Sequence, residues 1–224
     1  MIMAPRHFAF AFGISFMFVV AGELSAQNPK QFEHEVNAVV AHDSALNKQN
    51  LIVFAGSSSI RLWKNLKGYF PGKNITNHGF GGSHTADLLY YCDRLIIAYH
   101  PVQVFIYEGD NDIAAGRSVD QIIQTAEKLI DKIHEKLPQT EIVYISAKPS
   151  LARWSLKDTY LSFNRELQIL VKRKKNTRFL DVWTPMLGRD GKVLPDIFIE
   201  DGLHLNKKGY DIWGKVLAPY VRSR

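Results

Sequence analysis

Leu51-Ile52-Val53-Phe54-Ala55-Gly56-Ser57-Ser58-Ser59 is an apolar run that stops abruptly at a glycine and three serines. A stretch this short and this uniformly apolar reads as a strand buried on both faces, running Leu51–Ala55. Gly56 permits a sharp turn, and a helix beginning near Ile60 would offer its positive N-terminus to the serines. Working outward, Ile60–Tyr69 is expected to be that helix, with Leu62, Trp63 and Leu66 on one face. Phe70-Pro71-Gly72 is a turn, Asn74–Asn77 a second strand, and Gly79–Gly82 a glycine-rich loop. Thr85–Tyr99 is helical and stops before Pro101, and Val102–Tyr107 is a third strand.

The alternation continues to the end of the chain. Val119–Leu137 carries Ile122, Ile123, Ala126, Ile130 and Ile133 at helical spacing. Glu141–Ser146 is a fourth strand, Leu156–Lys174 a helix and Phe179–Val182 a fifth strand. An irregular stretch then runs to Leu203, and Asn206 caps a last helix bearing Tyr210, Trp213, Val216 and Leu217. Ahead of all this, Phe32, Val36, Val39, Val40 and Leu46 mark a first helix, expected to lie as a lid on one edge of the sheet. Alternating strands and helices with short apolar strands imply an α/β fold, a mostly parallel five-stranded sheet covered on both faces. Parallel strands bring the loops at their carboxyl ends to one edge, where ligands bind.

Bulk properties bound the function. Arg6 and His7, the apolar run from Phe8 to Ala21 and the small residues ending at Ala26 have the order of a secretory signal. Residues 1–26 are therefore expected to be removed, with Ala21 as a second cleavage candidate, leaving residues 27–224 as one exported domain, periplasmic or extracellular. One cysteine, Cys92, excludes an internal disulfide framework and reads as a buried small residue. The net charge of +6 is spread along the chain, with Lys172–Lys175 at an expected helix end. Basic faces interleaved with aromatics are lacking, so no nucleic-acid partner is expected. Nor is stable membrane insertion expected after the signal is removed; a small-molecule substrate is the expected partner.

Several residues could do chemistry. Ser58 can be a nucleophile if a base takes its proton, although any of the three serines can equally cap a helix. Asp201-Gly202-Leu203-His204 puts an aspartate where it can fold back onto a histidine ring and orient it as a base. Gly82 can offer an unhindered N–H and Asn111 a side-chain amide to a developing oxyanion. Asp110-Asn111-Asp112 lacks the glycine and distal glutamate of a calcium loop, so neither metal nor cofactor is expected. Trp63, Arg153 and Trp154 are candidate substrate contacts, while aromatics at such positions are as readily core. The Gly-x-Ser-x-Gly pattern of α/β-hydrolases fails here, because Ile60 stands at its last glycine.

Four segments in order resemble the four blocks of the GDSL-type, or SGNH, hydrolase superfamily: Gly56-Ser57-Ser58, Asn77-His78-Gly79-Phe80-Gly81-Gly82, Gly109-Asp110-Asn111-Asp112 and Asp201-Gly202-Leu203-His204. The resemblance spans about Leu51 to Tyr220. It implies a flavodoxin-like three-layer α/β/α fold and metal-free ester hydrolysis through an acyl-enzyme. Carried onto this sequence, the nucleophile is Ser58, the base His204 and its orienting acid Asp201. The implied oxyanion donors are the N–H groups of Ser58 and Gly82 and the side chain of Asn111. Ser57 stands where the family usually has aspartate, and is expected to support the turn by hydrogen bonding. Short acyl groups, including carbohydrate O-acetyl esters, are the expected substrates. A lysophospholipase or thioesterase, and a non-catalytic binding module on the same scaffold, are the alternatives.

Overall fold

The computed structural model describes residues 28–222. The expected leader, residues 1–26, lies outside the described residues. Strands β1 (Ile52–Gly56), β2 (Ile75–Gly79), β3 (Gln103–Tyr107), β4 (Glu141–Ile145) and β5 (Thr177–Leu180) form one sheet in the order β2-β1-β3-β4-β5. Every pairing is parallel, with Ile52 opposite both Ile75 and Gln103. This is the flavodoxin-like order, and it reverses direction between β1 and β3, where a crevice opens beyond the carboxyl ends.

The strands are buried on both faces because helices cover both. Val53, Ala55, Val104, Ile106, Ile142 and Tyr144 point into one core. There they meet helices α1 (Glu33–His42), α4 (Thr85–Leu95), α6 (Val119–Lys136) and α7 (Lys157–Arg173). Ile52, Phe54, Phe105, Tyr107, Val143 and Ile145 point the other way, onto α2 (Ser58–Arg61), α3 (Leu66–Tyr69) and α8 (Lys207–Leu217). The second core is aromatic: Phe54 stacks on Phe105 at 4.4 Å and meets Trp63 edge-on at 6.1 Å.

Four local expectations are corrected. The helix expected over Ile60–Tyr69 is two short helices, α2 and α3. Asn77 ends α2 by donating its side-chain amide to the carbonyls of Ile60 (2.7 Å) and Trp63 (3.4 Å), and Trp63 then turns into the core. The fifth strand lies at Thr177–Leu180, two residues early, because an edge strand is half-exposed and the denser apolar residues follow it. Asp110–Ala114 forms a helix, α5, that apolar periodicity could not reveal in so short and acidic a segment. And α1 packs beside α4 on one face of the sheet rather than as a lid on its edge. Among the described residues no helix is long and apolar enough to cross a membrane.

Candidate active site

The nucleophile candidate sits where β1 turns into α2. Gly56 has φ +141°, and a Cβ there would stand 2.1 Å from the carbonyl oxygen of Tyr107, so the turn admits no other residue without a shift. Ser57 donates its N–H to that same oxygen at 3.2 Å, tying the turn to β3. The carbonyl of Ser57 receives the N–H groups of Ile60 and Arg61. Its hydroxyl, however, caps nothing; the support expected from this side chain comes from its backbone. Ser58 is the first residue of α2, a position whose N–H has no partner within the helix.

The histidine arrives from the other end of the chain. Phe198 and Leu205 pair as an antiparallel bridge, and the segment between them is a tight turn with Gly202 at φ +62°. Ile199 donates to the carbonyl of His204 (2.9 Å) and Gly202 to that of Ile199 (3.0 Å). Asn206 anchors the turn: its amide donates to the carbonyls of Asp196 and Phe198 while its Oδ1 caps α8. Asp201 accepts the N–H groups of Leu203 and His204, both at 2.9 Å, on one oxygen. Its other oxygen lies 2.5 Å from Nδ1 of His204. Partial burial would raise the Asp201 pKa, but these N–H groups and the ring outweigh it and hold the carboxyl at about 2. Because a carboxylate can only accept, Nδ1 carries the ring proton and Nε2 is left as an acceptor. Nε2 lies 2.9 Å from the Ser58 hydroxyl.

Two further elements complete the edge. Gly82 follows β2 with φ +78°, and the space around its missing side chain is open. Asn111, the second residue of α5, donates Nδ2 to the carbonyl of Ser83 at 2.9 Å, which leaves a second amide hydrogen. The loop between them is held from below. Asp112 accepts from the Thr85 N–H (2.9 Å) and hydroxyl (3.1 Å), and the Ser83 hydroxyl donates to the buried Glu108 at 2.6 Å. Asp110, also buried, accepts from Tyr107, Tyr160, Lys148 and Arg153. Burial would raise its pKa, yet Lys148 and Arg153 drive it far below the usual carboxylate range.

Ser58, His204, Asp201, Gly82 and Asn111 are therefore brought to one sheet edge. The three substrate candidates fare differently. Trp63 is only 1% exposed and packs against Tyr210, Trp213, Phe54 and Phe70; no ligand can stack on it, and it is core. Trp154 is partly exposed but stacks on Trp183 with the Lys157 ammonium over its ring. Arg153 spends its guanidinium on the protein, on Asp110 and Asn111. The supports Glu108 and Ser83 carry no sequence signal of their own, because each acts through a partner distant in the chain, whereas Asn206 is legible only as a helix cap and Asp112 only as part of its short motif.

A model of the GDSL-like lipase/acylhydrolase family matches residues 52–212. Sequence comparison with curated proteins finds no match. Among solved structures, a Streptococcus pneumonia protein named after platelet activating factor superposes with a TM-score of 0.76 at 21% identity, covering 87% of this chain and 92% of its own. A GDSL-like lipase from Bacteroides thetaiotaomicron gives 0.69 at 20% identity, covering 87% and 97%. A catalytic mutant of an acetylxylan esterase from Geobacillus stearothermophilus gives 0.64 at 16% identity, covering 78% and 97%. These likenesses establish the shared fold, and the family match over most of the chain makes it a member of the GDSL-like lipase/acylhydrolase family.

Proposed function

We propose that the protein is a serine esterase acting on short acyl esters. The observation that carries this reading is the hydrogen-bonded series Ser58 Oγ, His204 Nε2, His204 Nδ1 and Asp201 carboxylate. His204 takes the Ser58 proton as Oγ attacks the ester carbonyl, and Asp201 stabilises the imidazolium that forms. The tetrahedral oxyanion is met by the N–H groups of Ser58 and Gly82 and by Asn111 Nδ2. The alcohol leaves with the proton from Nε2. Water, deprotonated by the same nitrogen, attacks the acyl-enzyme and releases the carboxylic acid and free Ser58.

The preference for short acyl groups rests on how open the site is. The side chains of His204 and Asp201 are 24% and 42% exposed, at the surface of a loop. Surface cavities of about 660 and 480 Å³ lie elsewhere and include none of the proposed catalytic residues. The fold shared with an acetylxylan esterase makes acetylated sugars the first substrates to try. A second reading, an enzyme for longer acyl chains, is favoured by Leu151 and Ile199. Both are nearly half exposed, and both belong to the loops around Gly202 that hold His204. We further propose that the chain is exported with its leader ending at Ala26, which N-terminal sequencing of the exported protein tests.

The functional test is a kinetic panel of esters of increasing acyl length together with acetylated xylo-oligosaccharides. kcat/KM is expected to be highest for acetyl and to fall with length, and Ser58→Ala and His204→Ala are expected to lose it by at least about a thousandfold. A maximum at long acyl chains would support the second reading. Undiminished turnover in Ser58→Ala would sink both.

A further inference from the structure

A terminal amide can serve an oxyanion only if its nitrogen end faces the substrate. Turned by 180°, the same side chain presents a carbonyl oxygen, which repels the developing charge. Asn111 has two neighbours that choose between these orientations. The carbonyl of Ser83 accepts from Nδ2 at 2.9 Å, and Nη2 of Arg153 donates to Oδ1 at 3.1 Å. Neither contact survives the flip, since a guanidinium cannot accept and a carbonyl cannot donate. Arg153 is itself fixed. Nη1 donates to the Asp110 carboxylate at 2.6 Å and to its backbone carbonyl at 3.1 Å. Asp110 is held in turn by the hydroxyls of Tyr107 and Tyr160 and by the Lys148 ammonium.

We propose that Arg153 is a positioning residue of the oxyanion hole, fixing through Oδ1 which end of the Asn111 amide meets the substrate. This rests on the esterase reading above. The planar fork matters: one Nη engages Asp110 while the other reaches Asn111, a division that a lysine ammonium, with a single nitrogen, does not reproduce. Arg153 lies eight residues beyond Ile145, the end of β4, so the loop after β4 contributes to catalysis without touching substrate.

The test is steady-state kinetics on Arg153→Ala and Arg153→Lys, each alone and combined with Asn111→Ala. Thermal melts accompany the kinetics, because Asp110 loses a partner in these variants. The expected result is a kcat about tenfold to a hundredfold lower with KM nearly unchanged, the scale of a misplaced catalytic group. Arg153→Lys should resemble Arg153→Ala, and added guanidinium should restore part of the Arg153→Ala loss. In the Asn111→Ala background neither Arg153 change should lower kcat further. A raised KM with unchanged kcat would make Arg153 a substrate contact and overturn the proposal. So would a kcat loss of equal size in the Asn111→Ala background. A second readout is independent of the esterase reading. In protein labelled with ¹⁵N at asparagine, the Asn111 side-chain amide should give one pair of resonances that shifts or broadens in Arg153→Ala. An unchanged pair would overturn the positioning role even if no ester is hydrolysed, whereas failure of the esterase reading alone leaves that change intact.

Discussion

A carboxyl group with no exposed surface and one unpartnered oxygen is costly to ionise, and Glu108 is such a group beneath the site. Oε1 accepts from the Ser83 hydroxyl, Oε2 has no hydrogen-bond partner, and the residue is 0% exposed. Burial, with the nearby charges of Asp112, Asp87 and Asp110, pushes its pKa well above the ordinary 4.5. The folded protein thus keeps a proton that the unfolded chain releases. The stability Glu108 supports is full below 4.5 and declines as pH rises toward the folded value, by about 1.4 kcal/mol per pH unit for one proton. Glu108→Gln removes this term. The stability of the variant relative to the native chain is predicted to increase as pH rises above the ordinary 4.5, read from urea melts; a difference independent of pH would contradict it. Gly56 makes a steric demand instead. Gly56→Ala is predicted to cost roughly 3 kcal/mol or more, because its Cβ would strike the Tyr107 carbonyl that Ser57 uses. A melt within about 1 kcal/mol of the native protein would show that the turn tolerates the methyl group.

At the scale of elements, helix α1 does more than cover the sheet. It precedes the segment matched by the family model, yet it reaches the Gly79–Gly82 loop. The Gly81 N–H donates to Glu35 Oε2 at 2.9 Å, the Arg61 guanidinium lies 3.8 Å from that oxygen, and Phe32 meets Phe80 edge-on at 5.2 Å. Asp43, just past the helix, accepts from the Thr76 hydroxyl and the His78 ring, fixing β2 from the same side. Glu35→Ala is predicted to lower kcat severalfold, the worth of about 1 kcal/mol for one lost hydrogen bond, with stability changed by no more than that. Unchanged kcat would confine α1 to a packing role. The sequence made α1 legible as an amphipathic helix, because its apolar spacing is local. Its hold on Gly81 was not legible, because Glu35 looks like any exposed carboxylate until the fold brings residue 81 beside it. The same contrast divides β1, readable from five apolar residues, from α2 and α3, whose break depends on Asn77 in the next strand.

Across the whole molecule, the site is a product of topology. Ser58 and His204 stand 146 residues apart, and neither is near Gly82 or Asn111 in the chain. The order β2-β1-β3-β4-β5 with every strand parallel puts the ends of β1, β2 and β3 side by side, and the turn before α8 closes over them. Alternation of apolar strands and helices predicted this edge, and three short motifs at strand ends, with Asp201–His204 before α8, supplied the candidate residues on it. The contacts beneath the edge, such as Arg153 on Asn111, belong to pairs of loops and have no pattern along the chain. The reading of Trp63 failed for a related reason: an aromatic near a strand end looks the same in sequence whether it faces the cleft or the core. What unites the site is the claim that Ser58 is made nucleophilic by His204. Reaction with a fluorophosphonate followed by peptide mass mapping tests it most directly. The prediction is a single adduct on Ser58, absent in Ser58→Ala and strongly slowed in His204→Ala. An adduct on another residue, or labelling at full rate without His204, would contradict it.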